Sequence, residues 1–353
     1  MDYIGREQRL AEVMKAEKVD ALLVSHMPNV RYLSGFTGSA GALAVIANKR
    51  GVQAAFFTDG RYTEQAKEQV RRAKVTIAKG AAIPEALRWL GSHKAKRVGF
   101  EAQHVSVALK EAISPSLKGG KLVQTRELVE RLRMVKEPGE VAQMRAAAHL
   151  ASSVLETVVK SIKPGVPENR IAAELEYLCR RLGAEGMSFD TLVASGVRSA
   201  LPHGVASTSP IPPKGFVILD FGVILGGYCS DMTRTVHVGA MDKKSQSLYQ
   251  AVKDAQAAGV EAVRPGVKAS EVDRAARKVL EKAGWGEYFT HSTGHGVGLE
   301  IHESPGLRKR NAKKPDSDMK LESGMVITIE PGAYVPGMGG VRIEDMVVVT
   351  PSG

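Results

Sequence analysis

The sequence predicts two domains of different class, an α/β domain over residues 1–132 and an α+β domain over residues 133–353. Three observations lead there. The chain has 353 residues, more than a single core serves, since cores stop growing near roughly 250–300 residues. In the first third, short apolar runs of strand length alternate with segments of helical spacing, the pattern of a mixed or parallel sheet flanked by helices. Beyond residue 132 the order becomes pairs of helices alternating with β-rich blocks, in two halves that resemble each other.

In the first domain, residues 7–18 read as a helix, 21–24 as a short buried strand, and 41–47 and 54–58 as further strands. Residues 61–72 return to helical spacing and 75–78 to a strand. Segments 84–90, 97–100, 105–113 and 122–124 continue the pattern. In the second domain, Glu137-Pro138-Gly139-Glu140 puts proline and an acid where a helix begins. An Ala-rich helix over 141–162 follows, closed by Pro164-Gly165, and a second spans 168–182. Strands are expected at 216–221 and 228–238, helices at 245–263 and 271–283, and strands again at 325–330 and 341–349.

Composition narrows the function classes. Hydrophobic content is 43% and charged content 25%, ordinary for a soluble globular protein. No apolar run reaches the length of a membrane span. Residues 1–10 carry charges rather than an apolar signal region, so no membrane partner and a cytoplasmic location are expected. Cys179 and Cys229 read as buried small hydrophobes rather than a disulfide. The net charge of +11 is spread along the chain. Its densest cluster, Arg308, Lys309, Arg310, Lys313 and Lys314, has no interleaved aromatics and sits in an Asn/Pro/Asp/Ser loop. It reads as a solvated loop, and no nucleic-acid partner is expected.

Chemistry concentrates in acids and histidines. Asp220 ends the apolar run Val217-Ile218-Leu219, and Asp231 follows Gly226-Gly227, which marks a hairpin turn. With Leu225-Gly226 at the tip Asp231 faces Asp220; with Gly226-Gly227 at the tip it faces Gly222, which shares a side with Asp220 because strand side chains alternate. Either register puts both carboxylates on one side, roughly 5–8 Å apart at Cβ. Like charges that close require a proton on one or a cation between them. Glu330 closes the apolar strand Met325–Ile329, and Arg342 and Glu344 share one face of theirs, where an ordinary strand salt bridge is the alternative reading. His291 and His295 lie in Gly-rich backbone, where glycine permits close approach to a ligand; His302 follows, and His203 stands in Leu201-Pro202-His203-Gly204. Four carboxylates and an imidazole suit Mn²⁺, Co²⁺, Fe²⁺ or Zn²⁺, and a pair of such cations makes a nucleophile near neutral pH. Metal-assisted hydrolysis is the chemistry these residues suggest.

Asp220, Asp231, His295, Glu330 in Ile329-Glu330-Pro331-Gly332, and Glu344 in Arg342-Ile343-Glu344-Asp345 together resemble the ligand series of the pita-bread peptidases: aminopeptidase P, prolidase and methionine aminopeptidase. The large N-terminal domain, with Arg31-Tyr32-Leu33-Ser34-Gly35-Phe36 and Thr58-Asp59-Gly60-Arg61-Tyr62, looks like the creatinase-like domain of the aminopeptidase P and prolidase branch, so the resemblance covers nearly the whole chain. It implies two divalent metal ions per subunit, Mn²⁺ first and Co²⁺ or Zn²⁺ as alternatives. By the same resemblance Asp220 is a bidentate ligand of one metal, His295 binds the other, Asp231 and Glu344 bridge, and Glu330 is a ligand that also serves as general base. His203, His291 and His302 match the histidines around the substrate, Arg342 the arginine that orients the acids, and Tyr334 is a looser candidate. A metal-activated hydroxide would attack the carbonyl before proline in short proline-containing peptides, and a homodimer is implied.

Two departures matter. In some dipeptide-cleaving relatives an arginine directly follows His-Glu-x-Pro; here Gly306 follows His302-Glu303-Ser304-Pro305, with Arg308 as a substitute two positions on. That favours an Xaa-Pro aminopeptidase, with a strict Xaa-Pro dipeptidase as the alternative. The chain also stops at Gly353, soon after the last metal strand, where relatives usually run slightly further, so a missing tail is the expectation. A non-catalytic peptide-binding module and a metal-free, creatinase-like hydrolase are disfavoured because all five ligands are present.

Overall fold

Strand-length runs of small and branched apolar residues build a mixed six-stranded sheet in the first of two units. The computed structural model describes residues 1–48, 51–311, 313 and 318–353, and its units are Met1–Arg133 and Met134–Gly353. In the first unit β1 (Ala21–Val24), β2 (Ala42–Asn48), β3 (Gly51–Thr58), β4 (Lys74–Ile77), β5 (Arg97–Glu101) and β6 (Lys121–Thr125) lie in the order β4-β3-β2-β1-β5-β6. β2 runs antiparallel to β1 and β3, and the other pairs are parallel. Around the sheet are α1 (Tyr3–Ala16), α2 (Met27–Ser34), α3 (Thr63–Gln69), α4 (Ala82–Ser92), α5 (Val107–Ile113) and α6 (Leu128–Met134). From α4, Ala86, Leu87 and Leu90 pack on Leu23, Ala44 and Val98 of the sheet. Helix α2 was not expected from the sequence. It is eight residues long, has no side-chain cap at His26, carries Pro28 in its first turn, and ends at Gly35 in the left-handed region (φ 83°). A segment so short shows no clear helical period.

The second unit contains α7 (Pro138–Val158) and α8 (Glu168–Arg181), then β7 (Gly186–Met187), β8 (Leu192–Ser195), β9 (Gly215–Phe221), β10 (Val223–Leu225), β11 (Tyr228–Cys229) and β12 (Met232–Val238). Next come α9 (Lys243–Ala262), α10 (Ala269–Lys282), β13 (Gly294–Gly296), β14 (Glu303–Leu307), β15 (Val326–Ile329), β16 (Gly332–Val335), β17 (Gly339–Arg342) and β18 (Asp345–Val348). Helix α7 opens where the proline and acid predict, through a reciprocal capping box between Glu137 and Glu140. The likeness of the halves is concrete. Pro164-Gly165-Val166 precedes α8 and Pro265-Gly266-Val267 precedes α10, both glycines are left-handed, and both helices have 14 residues. The main sheets are β12-β9-β8 and β14-β13-β15-β18. Among the described residues no helix is long and apolar enough to cross a membrane.

Period-two alternation sets what each strand presents. From β9, Val217, Leu219 and Phe221 are buried with Ala147, Ala151 and Val154 of α7 and Ile171 and Leu175 of α8. Burying aliphatic side chains of this size contributes roughly 1.5–3 kcal/mol each. Asp220 therefore points to the opposite side of its strand. Two strands expected as continuous are broken. Residues 228–238 divide into β11 and β12 at Ser230-Asp231, and 341–349 divide into β17 and β18 at Ile343-Glu344. Each break falls at one of the acids singled out in the sequence.

Candidate active site

The β10–β11 hairpin pairs Ile224 with Cys229 and Leu225 with Tyr228. Gly226 (φ 58°) and Gly227 (φ 81°) form its tip, the left-handed pair that a type I′ turn requires. The same register carries into β9 and β12, where Asp220 pairs with Thr233. Of the two registers open to the sequence, this is the one that brings Asp231 level with Gly222. Only glycine fits there, because a Cβ on Gly222 would stand 1.8 Å from Ser230 O. The Ser230 hydroxyl accepts from Val223 N at 3.0 Å. Asp220 and Asp231 end on one side, placed diagonally.

One short strand and two strand ends supply the rest. His295 is the middle of the Gly-His-Gly strand β13. A Cβ on Gly294 would lie 1.9 Å from Thr328 O and one on Gly296 2.3 Å from Ser304 O. These glycines admit the neighbouring strands β15 and β14, and Gly294 also lines the cleft. His295 Nδ1 donates to Gly296 O (2.9 Å), which directs Nε2 to within 3.5 Å of Asp231 Oδ2 and 3.6 Å of Glu330 Oε1. Glu330 follows β15, its N–H donating to Thr293 O at 2.7 Å. Glu344 sits in the break after β17. Its N–H donates to Thr233 O at 3.1 Å, and its Oε2 accepts from the Thr233 hydroxyl at 2.7 Å.

The arrangement carries more negative charge than the protein neutralises. Arg342 shares a face with Glu344 by sequence, yet its guanidinium turns to β9 and donates to Asp220 Oδ2 at 2.5 Å. Its other donors go to the Thr233 hydroxyl, Tyr334 Oη and Pro202 O. Burial, and then the surrounding carboxylates, push Asp231 and Glu344 well above the usual carboxylate range. Glu330 is pushed up to about 8 by burial, with Arg342 opposing and Asp220 adding. Asp220 Oδ1, Asp231 Oδ1 and Glu344 Oε1 are buried without a hydrogen-bond partner. An unpaired buried carboxylate oxygen is costly. Ligand atoms of Asp231, His295 and Glu344 lie within 4.8 Å of one another. Orphaned oxygens converging with one imidazole lone pair fit a divalent metal ion, and carboxylate with imidazole suits Mn²⁺, Co²⁺, Fe²⁺ or Zn²⁺.

These acids floor a cleft of about 580 Å³ that the predicted histidines also line. His291 Nδ1 donates to Ser292 O (2.8 Å), so its Nε2 accepts from the Tyr334 hydroxyl at 2.9 Å. Burial is the main cause that holds His291 and His295 down at about 4, as neutral imidazoles. The His302 ring packs edge-on to His295, 4.4 Å between centroids. His203 rides on an exposed loop anchored at both ends by Glu168, the first residue of α8. That carboxylate accepts from Ser195 N and Oγ, from Ser207 N and Oγ, and from the Arg198 guanidinium.

Sequence reasoning missed some of the lining. Phe189, Leu192, Val205 and Ile301 add apolar surface. Thr233, which joins Arg342 to Glu344, carried a signal: it lies two residues after Asp231 and so shares its side. The basic loop divides. Arg308 lines the cleft beside Gly306, whereas Lys309 and Arg310 line a separate groove; Lys314 lies outside the described residues.

Comparison with known proteins agrees with this geometry. The profile of metallopeptidase family M24 matches residues 142–351, and that of the creatinase/prolidase N-terminal domain matches residues 6–135. The chain is 36% identical over 354 residues to an Xaa-Pro dipeptidase of Pyrococcus horikoshii, covering 100% of this chain and 97% of that one. Its fold superposes on the solved structure of an Xaa-Pro dipeptidase from Bacillus anthracis with a TM-score of 0.93 and 40% identity, covering 99% of this chain and 95% of that one. It also superposes on an X-Pro aminopeptidase from Thermotoga maritima with a TM-score of 0.87 and 35% identity, covering 97% and 96%. The converging acids, the neutral imidazoles and the match over most of its length make this chain a pita-bread enzyme of metallopeptidase family M24 with a creatinase/prolidase N-terminal domain.

Proposed function

We propose that the enzyme hydrolyses the peptide bond before proline and acts as an Xaa-Pro dipeptidase. The observation that carries the choice is Arg308. Its guanidinium lines the cleft, with Nε 3.8 Å from where a Cβ on Gly306 would lie. A dipeptidase must recognise the free carboxylate of its C-terminal proline, and a guanidinium does so through paired hydrogen bonds. Gly306 alone favours the aminopeptidase. The dipeptidase names of the Pyrococcus and Bacillus anthracis relatives support the alternative, and Arg308 supplies the cation that Gly306 lacks. The likeness to the Thermotoga X-Pro aminopeptidase favours the second reading, an Xaa-Pro aminopeptidase.

In this reading Asp220, Asp231, His295, Glu330 and Glu344 hold two divalent cations, Mn²⁺ in first place. Bound there, such cations polarise the scissile carbonyl and lower the pKa of water to near neutral. His295 gives the Nε2 lone pair because Nδ1–H is committed to Gly296 O. Glu330, at the cleft floor, takes the proton from the attacking water and passes it to the leaving proline nitrogen. His302 and His203 donate to the developing oxyanion and to the substrate backbone. The Tyr334 hydroxyl is shared between Arg342 and His291, which fixes the His291 ring where it lines the cleft. Phe189, Leu192, Val205 and Ile301 give the cleft apolar surface for the substrate side chains. The proposed setting is a cytoplasmic homodimer, on the family resemblance, with catalysis assigned to residues 133–353; the contact break after Arg133 supports that division.

The test is kcat/KM for Ala-Pro against Ala-Pro-Ala under one metal condition. A dipeptide preference of tenfold or more, about 1.4 kcal/mol of transition-state binding, is expected. Equal or reversed preference returns the enzyme to the aminopeptidase reading.

A further inference from the structure

Helix α10 carries a buried ion pair that the reaction described above does not use. Asp273 and Arg277, one turn apart, are 1% and 7% exposed. Arg277 Nε and Nη2 donate to the two Asp273 oxygens at 3.0 and 2.9 Å. An i,i+4 pair that only supports its helix sits in solvent; this one is desolvated, and its remaining hydrogen-bonding capacity goes to one short segment of chain. Arg277 Nη1 donates to Phe289 O and Nη2 to His291 O, both at 2.9 Å. The guanidinium lies 4.0 Å over the Phe289 ring. Asp273 Oδ1 accepts from the Thr293 hydroxyl at 2.9 Å and from Thr293 N at 3.2 Å. Phe289, His291 and Thr293, three alternate residues, are thus fixed by the two charges.

That segment runs between a 3₁₀ turn, Gly286–Tyr288, and β13. It belongs to neither helix nor sheet ladder; backbone bonds hold its ends, at Phe289 N to Gly286 O, Thr293 N to Leu307 O and Thr293 O from Glu330 N, while the His291 carbonyl between them is held by Arg277. His291 is its middle residue and, of the three residues that the pair holds, the one that lines the cleft. We propose that Asp273 and Arg277 are positioning residues that set the place of the His291 imidazole for the reaction. The pair touches neither the cleft floor nor substrate, and its effect passes through the His291 carbonyl. The inference rests on the reading that His291 meets substrate.

Two readouts test it. The first is the imidazole nitrogen spectrum of the metal-free protein, with the His291 signal assigned by its loss in His291→Ala. Arg277→Met should move that signal and leave the signal of His237, on β12, in place. The second is a double-mutant cycle under one metal condition. Arg277→Met should lower kcat on Ala-Pro by about 10- to 100-fold, the scale of a misplaced group, but by less than about threefold in the His291→Ala background. An unmoved His291 signal, or equal losses in both backgrounds, overturns the proposal; the latter marks a general structural effect. If Arg277→Met does not fold, Arg277→Lys keeps the charge and replaces it in both measurements, with the same expected and overturning results. A shifted signal together with wild-type turnover of His291→Ala overturns the substrate role of His291, while the placement of the segment by the pair stands.

Discussion

Arg342 donates to Asp220 Oδ2 at 2.5 Å, and this contact sets the electrostatics of the whole site. The guanidinium spends its remaining donors on Thr233, Tyr334 and Pro202. Asp231, Glu330 and Glu344 are left facing one another, and all three carboxyls rise above their ordinary range.

The metal-free protein should therefore lose stability as pH rises from about 6.5 to 8. Glu330 keeps its proton in the folded state up to about 8, against 4.5 unfolded. A raised carboxyl contributes stability that is lost as pH climbs toward the folded value. His291 and His295 act oppositely, being neutral in the folded state above about 4, but that contribution is complete once pH passes 6.5. The limiting slope is about 1.4 kcal/mol per pH unit for each extra proton held. Metal binding displaces those protons, so added Mn²⁺ should raise the melting temperature more at pH 8 than at 6.5. A metal-free melting temperature that climbs across this window counts against the clustered acids.

Asp231→Asn should lower bound metal by at least one ion per chain and remove most turnover. The substitution preserves shape and deletes one of the converging charges, and the other acids cannot replace it. Metal analysis after dialysis, with activity assayed alongside, checks this. Near-normal metal content and turnover would show that Asp231 is not a ligand. In the wild type, chelation should abolish turnover and Mn²⁺ or Co²⁺ restore it.

Gly222→Ala should destabilise the protein by about 1–3 kcal/mol or more, the usual cost of overpacking, and weaken metal binding with it. A Cβ there meets Ser230 O at 1.8 Å, and relief requires the chain to shift at the residue next to Asp231. Thermal unfolding and metal content should fall together; an unchanged melting temperature would contradict the close approach.

These positions show how much the sequence revealed. Asp220, Asp231, Glu330 and Glu344 were legible because each closes or interrupts a strand-like run, where a charge is conspicuous, and His295 because it stands between glycines. The side shared by Asp220 and Asp231 was legible because strand alternation gives it in either register. The register itself was not, since the sequence admits two tips, and neither were the breaks at Ser230-Asp231 and Ile343-Glu344. A buried acid that needs a backbone kink to reach its site looks, in sequence, like one more strand residue. The partner of Arg342 was also hidden. Its neighbour two positions along is Glu344, but the guanidinium crosses to Asp220, 122 residues away in sequence, and local periodicity does not report such a contact. Helix α2 escaped because eight residues with proline in the first turn show little period.

His302→Ala should keep the metal content and lower kcat. The ring packs against His295 but stands outside the group of converging ligand atoms. Loss of one donor to an oxyanion costs on the order of 10²–10³ in kcat. Metal analysis of the variant separates the roles, because loss of an ion would make His302 a ligand.

Arg308→Ala should raise KM for Ala-Pro and leave Ala-Pro-Ala nearly unchanged. The argument begins with Gly306, which offers no charge to a product-side carboxylate, so any such recognition must come from elsewhere. Arg308 is two residues along, and its guanidinium lies beside the position a side chain on Gly306 would start from, Nε at 3.8 Å and Cζ at 4.0 Å from the absent Cβ. A paired guanidinium–carboxylate interaction is geometry-dependent and stronger than a neutral hydrogen bond, so its loss should cost a dipeptide on the order of tenfold or more in kcat/KM. A tripeptide presents an amide at that position and has less to lose. The dipeptide-to-tripeptide ratio should therefore collapse toward one in the variant, while metal content stays fixed because Arg308 is not among the converging ligands. Gly306→Arg on the Arg308→Ala background should restore part of the ratio, since the two positions address the same space. If Arg308→Ala lowers both substrates equally, the residue supports the loop and does not read the carboxylate, and dipeptide preference has to arise from another feature of the cleft.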